Sequence, residues 1–381
     1  MGQLVILEFG ALRQIESILR HRSPRRIFLV ADRTAYVATG AEKVLAPILE
    51  AYEVTRFTEF EPNPKKGDVD RGVELFRANP ADLIVAVGGG TAIDVGKLIN
   101  VFAAQEHASA EYIEGRQNLR APACPLVAVP TTAGTGSEAT HFAVIYVDKT
   151  KYSMVQPQMQ PEVALVDPEL LKAAPTRLMA STGMDALAQG IESYWSIYST
   201  DESRRFAAEA INLAWEHVAA ATNQPTPAAL FGMARAAHLA GRAINLTKTT
   251  APHAISYPIT SFFGVPHGHA VALTLPAVLF FNSQVTDDDV LDPRGAGFVR
   301  KTIEEIAWML GVENAGDSVQ VLDELMDRVG LSRNFETLGI RTHDDIELII
   351  ANGFNPQRVN NNPRRLTEAA LRTILGELRG E

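Results

Sequence analysis

The run Asp82-Leu-Ile-Val-Ala-Val87 passes without a break into Gly88-Gly-Gly-Thr-Ala-Ile-Asp-Val-Gly-Lys97, and this junction restricts the possible folds more than any other part of the chain. Apolar residues without polar alternation suit a strand buried on both faces, which belongs to a parallel sheet covered by helices. Glycines Gly88, Gly89 and Gly90, where strand turns to helix, let the main chain approach a phosphate. The following helix then presents free N–H groups and the positive end of its dipole. Thr91 adds a hydroxyl donor, and Asp94 is expected in the first turn. The spacing is not Gly-x-Gly-x-x-Gly, so that dinucleotide fingerprint does not apply. The plainer reading is a tight turn that needs glycine for its backbone angles.

The same grammar recurs nearby. Arg26–Ala31, Val54–Phe57 and Pro125–Val129 read as strands, and Ala41–Tyr52 and Val69–Ala78 as helices. Strand Leu126–Val129 leads into a second loop, Pro130-Thr-Thr-Ala-Gly-Thr-Gly-Ser-Glu-Ala-Thr140, which offers Thr131, Thr132, Thr135 and Ser137 just past a strand's carboxyl end. Open α/β sheets bind ligands there, and two such loops on neighbouring strands point to a dinucleotide pyrophosphate. Asp32 ends an early strand. It either accepts hydrogen bonds from a ribose diol, favouring NAD over NADP, or is simply solvated.

From about Pro175 the strand signal vanishes. Arg177–Ser196, Glu202–Thr222, Pro227–Ile244 and Lys301–Leu310 carry helical periodicity, and Leu366–Leu378 is a last helix after the loop at Asn360–Pro363. The expected fold is an α/β dinucleotide-binding domain with a parallel sheet over residues 1–172, followed by an all-helical metal- and substrate-binding domain over 173–381.

The charge balance excludes some functions. A net charge of −10 without a Lys/Arg run argues against nucleic acid. No stretch approaches the ~20 apolar residues that cross a bilayer. Met1–Gly10 lacks the pattern of a signal peptide, so a cytoplasmic location is expected. The single cysteine, Cys124, allows no intramolecular disulfide and reads as a small buried apolar residue.

Nine histidines are present, and His253, His267 and His269 fall within seventeen residues, near Gly and Pro. Neutral imidazole is a good ligand for divalent iron, zinc or nickel. Asp185, expected at the start of an apolar helix, is a carboxylate that needs a partner, and Gln189 follows four residues later on the same face. Taken singly, each histidine is more often a hydrogen-bonded core or surface residue, so spacing alone does not carry a metal site.

Taken together and in order, Gly88–Asp94, Pro130–Glu138, Gly183-Met-Asp-Ala-Leu187 and Pro266-His-Gly268 resemble the iron-containing (group III) alcohol dehydrogenases, over essentially the whole chain. The resemblance implies a dehydroquinate synthase-like fold, with the active site in a cleft between a dinucleotide-binding and a helical domain. It implies NAD(P)-dependent interconversion of a small aldehyde and its alcohol, and commonly a homodimer. It further implies Fe2+ or Zn2+ held by an Asp, a His four residues on, and two His fourteen apart. Asp185, His253 and His267 match; Gln189 stands where the family usually has His. Tyr257 stands where many members have a His near the nicotinamide, so the proton donor is Tyr257, His269 or a water. A Lys in the position of Lys151 approaches the cofactor in the family.

Gly183–Ser196, Lys248–Tyr257 and Phe263–Val271 are similar to a subgroup that reduces phosphonoacetaldehyde to 2-hydroxyethylphosphonate. For such a dianion Lys248, His141 and Arg242 are the candidate cations, Lys248 foremost. The alternatives are a general short-chain alcohol dehydrogenase, and a metal-independent reductase resembling the maleylacetate reductases.

Overall fold

Six parallel strands in the order β1-β8-β5-β4-β2-β3 form the centre of the N-terminal unit in this computed structural model, which describes residues 2–354 and 359–379. The strands are β1 (Leu4–Leu7), β2 (Arg26–Ala31), β3 (Glu53–Phe57), β4 (Leu83–Gly88), β5 (Leu126–Pro130) and β8 (Val163–Val166). β4 and β5 are buried throughout, as their unbroken apolar sequences require. One face packs Phe28, Ile84, Ala86 and Ala128 under the helices Lys66–Ala78 and Gly90–Ala103. The other packs Leu29, Val85, Val87 and Val127 under Ile15–Arg22 and Ala41–Leu49. The chain leaves β2 toward β3 on one side and β4 on the other, so the order reverses between β2 and β4. That is the position where such sheets bind ligands at their carboxyl ends.

A separate antiparallel hairpin, β6 (Phe142–Val147) and β7 (Thr150–Val155), turns at Asp148 with φ 53°. The hairpin, β1 and β8 were not anticipated, because short apolar runs carry no period that separates strand from buried helix or loop.

Close contacts divide the chain into Met1–Ala174 and Pro175–Glu381. The second unit is helical. Thr176–Trp195, Asp201–Asn223 and Pro227–Thr247 pack on one another, and Ala251–Phe263 and His267–Ser283 join them. Thr200 caps Asp201–Asn223 in a reciprocal bond with Ser203. Among the described residues no helix is long and apolar enough to cross a membrane.

Candidate active site

In the N-terminal unit the two loops at the ends of β4 and β5 lie against each other. Thr131 N donates to Gly88 O at 2.9 Å, continuing the β4–β5 pairing. Gly88 has φ 150°, and a methyl group there would come 2.6 Å from Ala92 Cβ and 3.1 Å from Asp32 Cβ. Only glycine meets both demands. Thr132 and Thr135 reach over Gly89 and Gly90: a methyl on either glycine would meet the Thr132 hydroxyl at 3.3 Å or the Thr135 hydroxyl at 2.7 Å. Gly90 opens the helix Gly90–Ala103, so free N–H groups, threonine hydroxyls and the dipole's positive end converge. The buried Thr131 hydroxyl has no hydrogen-bond partner, which leaves a donor and acceptor for a bound group. These residues fit a dinucleotide pyrophosphate.

Other residues of this expected site stand differently. Asp32 caps the short helix Arg33–Ala38, accepting from Ala35 N at 2.8 Å. Thr91 Oγ1 accepts from Asn63 N at 3.2 Å. Asp94 is buried, accepting from Ser137 Oγ and, at 2.9 Å, from Val144 N. Burial pushes its carboxyl up, against the pull of Lys97 and these bonds. Its role visible here is to join the helix to the second loop and the hairpin. Lys97, which sequence reasoning passed over, completes that join. Its buried ammonium donates to Ser137 O at 2.5 Å, Thr140 O at 2.8 Å and Phe142 O at 2.9 Å. The available signal was two charges three residues apart in an otherwise apolar helix. Lys151 lies on β7 with its ammonium 6.0 Å from the Tyr146 ring centroid. His141 packs edge-on to Phe142.

In the helical unit Asp185, His253 and His267 come together, their ligand atoms all within 4.8 Å of one another. Asp185 is not at a helix start, as expected, but halfway along Thr176–Trp195, where Asp185, Gln189 and Glu192 form one stripe. The helical period over Arg177–Ser196 already contains Asp185; Ser181, Thr182 and Gly183 just before it suggest a start that the structure does not have. The histidines also sit on helices and not on turns. His253 lies in the first turn of Ala251–Phe263, and Gly264, with φ 70°, ends that helix. Pro266 then opens His267–Ser283. Gly268 lets this helix approach Thr176–Trp195: a methyl there would stand 2.0 Å from Ser181 O and 2.7 Å from Asp185 Cβ. That approach brings His267 beside Asp185.

The rings of His253 and His267 meet edge to face at 5.4 Å, and His253 Nε2 is 3.3 Å from Asp185 Oδ1. Burial alone would raise the Asp185 carboxyl, yet His253, His267 and Gln189 hold it below its ordinary range. Burial likewise opposes charge on His253, but Glu192 and Asp185 outweigh it and bring its pKa to about 10. Ser256 Oγ donates to His253 O at 2.7 Å and lies 3.3 Å from His267 Nδ1, so its lone pair can accept a hydrogen bond from Nδ1–H, which puts that ring's own lone pair on Nε2. Asp185 Oδ1 and Gln189 Oε1 are buried with no hydrogen-bond partner. Two orphaned oxygens beside two imidazoles fit a divalent cation, so the fourth position taken by Gln189 is chemically compatible with the trio.

Tyr257, one turn after His253, stacks on His267 at 6.1 Å. His269 is not brought to the trio. It follows His267 by two residues, which points it away around the helix. Its Nε2 lies 2.7 Å from Ser332 O, and burial holds its pKa below the ordinary value. The His269 ring is thus held by the backbone at Ser332. Lys248 is exposed and ends the helix Pro227–Thr247 with φ 61°, two residues before Thr250. Arg242 lies 3.9 Å over the Phe206 ring.

Residues 3–168 match the family model described as iron-containing alcohol dehydrogenase, and residues 179–378 match the C-terminal model of the Fe-containing alcohol dehydrogenase family. The chain is 39% identical over 313 residues to a phosphonoacetaldehyde reductase of Streptomyces viridochromogenes, covering 79% of this chain and 77% of that protein. It is 30% identical over 370 residues to an NAD-dependent methanol dehydrogenase of Bacillus methanolicus, covering 96% and 95%. The solved sulfoacetaldehyde reductase from Bifidobacterium kashiwanohense, in complex with NAD+, superposes with a TM-score of 0.88 at 30% identity, covering 99% of this chain and 97% of that one.

Proposed function

The chain belongs to the iron-containing alcohol dehydrogenase family, and we propose that it reduces phosphonoacetaldehyde to 2-hydroxyethylphosphonate with NADH, acting as a homodimer. It is an oxidoreductase of the alcohol dehydrogenase and aldehyde reductase class. The observation that carries the substrate is its 39% identity to a reductase of this aldehyde, against 30% to a methanol dehydrogenase. The likeness to a reductase of sulfoacetaldehyde, also a two-carbon aldehyde bearing an anion, supports the same substrate class.

When bound, a divalent iron or zinc supplies Lewis acidity toward the carbonyl oxygen, and the reduced nicotinamide supplies the hydride. Asp185, Gln189, His253 and His267 hold the metal. The backbone from Gly88 to Gly90, with Thr131, Thr132 and Thr135, holds the pyrophosphate, Ser137 ties the second loop to Asp94, and Asp32 faces the ribose. Asp94 keeps the second loop in place, Thr91 stands at the helix start, and Lys151 adds a cation to the cofactor side. As the carbonyl carbon gains its C–H bond, its oxygen gains a proton from the Tyr257 hydroxyl. Lys248 supplies the cation for the phosphonate dianion. A Lys–phosphonate contact is charge-assisted and adds selectivity over an uncharged aldehyde.

The test is turnover of metal-loaded protein with phosphonoacetaldehyde beside acetaldehyde, followed by NADH absorbance. The expected preference in kcat/KM is roughly 10- to 100-fold, the value of one charge-assisted contact, and Lys248→Ala should remove most of it. Comparable rates on both aldehydes would overturn the phosphonate substrate and leave a general alcohol dehydrogenase.

A further inference from the structure

Glu192 is a buried carboxylate behind His253 in the helical unit. It is fully buried, and both its oxygens are engaged. Oε2 binds His253 Nδ1. Oε1 accepts from Thr250 N and from Thr250 Oγ1, each at 2.9 Å, and from His253 N at 3.4 Å. Thr250 Oγ1 in turn accepts from Trp195 Nε1 at 2.9 Å. A carboxylate is thus held at the N-terminus of the helix Ala251–Phe263, where unpaired N–H groups and the dipole favour negative charge.

We infer that Glu192 is a positioning residue for metal binding: it keeps the proton of His253 on Nδ1, so that Nε2 presents its lone pair beside Asp185. This rests on the reading of Asp185, Gln189, His253 and His267 as a metal site. The two sides of the ring differ: Glu192 Oε2 binds Nδ1 closely, whereas Asp185 Oδ1 stands 3.3 Å from Nε2. An ionised carboxylate can only accept, so Nδ1 donates to Glu192, and Nε2 donates to Asp185 until a cation takes the place of its proton. The opposite nitrogen, 3.3 Å from Asp185 Oδ1, is then the one open to a cation. A carboxylate behind a ligating histidine also raises the ring's basicity and strengthens the metal bond. Here that support has a specific use, because the neutral amide of Gln189 is a weaker donor than an imidazole. Asp185, Gln189 and Glu192 follow one another along one helical stripe, so one face of Thr176–Trp195 supplies two oxygens directly and the third residue through His253.

Glu192→Gln separates this from a packing role. Glutamine keeps the shape but puts two donors on one side. Facing His253, the amide nitrogen opposes the Nδ1 proton; turned over, it opposes the N–H of Thr250. The measurements are Co2+ affinity, the visible d–d spectrum of the Co2+ form, and NADH binding by fluorescence. E192Q is expected to bind Co2+ about 10- to 100-fold more weakly with an altered spectrum, while NADH binding is unchanged. Should E192Q fail to fold, Glu192→Asp, which keeps the charge but draws it back by one bond, takes its place with the same readouts and the same direction. A wild-type protein that binds no Co2+ would overturn the metal site itself. A wild type that binds Co2+, with a folded variant matching it in affinity and spectrum, would overturn the role of Glu192 and leave the metal site standing.

Discussion

Gln189 places a buried amide oxygen without a hydrogen-bond partner one helical turn from Asp185, the carboxylate that His253 and His267 flank. An amide oxygen is a weaker ligand for iron or zinc than an imidazole nitrogen. Gln189→His is therefore expected to tighten Zn2+ binding by roughly tenfold, measured by competition with a chromogenic chelator. Unchanged affinity would mean that position 189 does not face the ion. Cys124 behaves differently at the same scale. It is half-buried, and burial, with the nearby Asp82 charge, pushes its thiol up to about 12. The thiolate is the reactive form, so below that pH reactivity should climb about tenfold per pH unit, with about one molecule in ten thousand ionised at pH 8. A disulfide reagent at pH 8 should label the folded protein slowly and the urea-unfolded protein at once. Rapid labelling of the folded protein would count against the buried environment of this thiol.

Among the elements, the contact between the helices Thr176–Trp195 and His267–Ser283 decides whether the metal trio exists. It depends on Gly268, whose missing side chain lets Ser181 O and Asp185 Cβ come close. The nearest atom to an added methyl is backbone and cannot rotate away, so one helix would have to move. Gly268→Ala should cost about 1–3 kcal/mol in thermal or urea unfolding and weaken metal binding more than NADH binding. A variant with wild-type stability and metal affinity would show that the helices have room to separate. The His-rich segments were readable as a cluster in the sequence, but not as two helix starts. Pro252 and Pro266 looked like turn residues there, whereas in the structure each sits at the opening of a helix, where proline costs no hydrogen bond.

At the scale of the whole molecule, the dinucleotide loops belong to Met1–Ala174 and the metal trio to Pro175–Glu381. Each site is assembled within its own unit, so removing one ligand should spare the other. Exhaustive chelation is expected to lower kcat by more than ~100-fold, while NADH affinity by fluorescence titration stays within about twofold. Full activity after chelation would point instead to a reductase that works without metal. By itself the sequence determined the parallel α/β sheet and its glycine loop, because unbroken apolar strands and a strand–glycine–helix junction are local signals with few physical solutions. It also carried the candidate ligands Asp185, His253 and His267, through their residue types and spacing. Only the tertiary structure decided which neighbours complete them. The carboxylate of Glu192 behind His253, the lysine clamp of Lys97 under the second loop, and the turning of His269 toward Ser332 all join residues 40 to 63 positions apart. Such pairings leave no periodic trace along the chain, because they are set by how the helices and loops pack and not by what precedes or follows each residue.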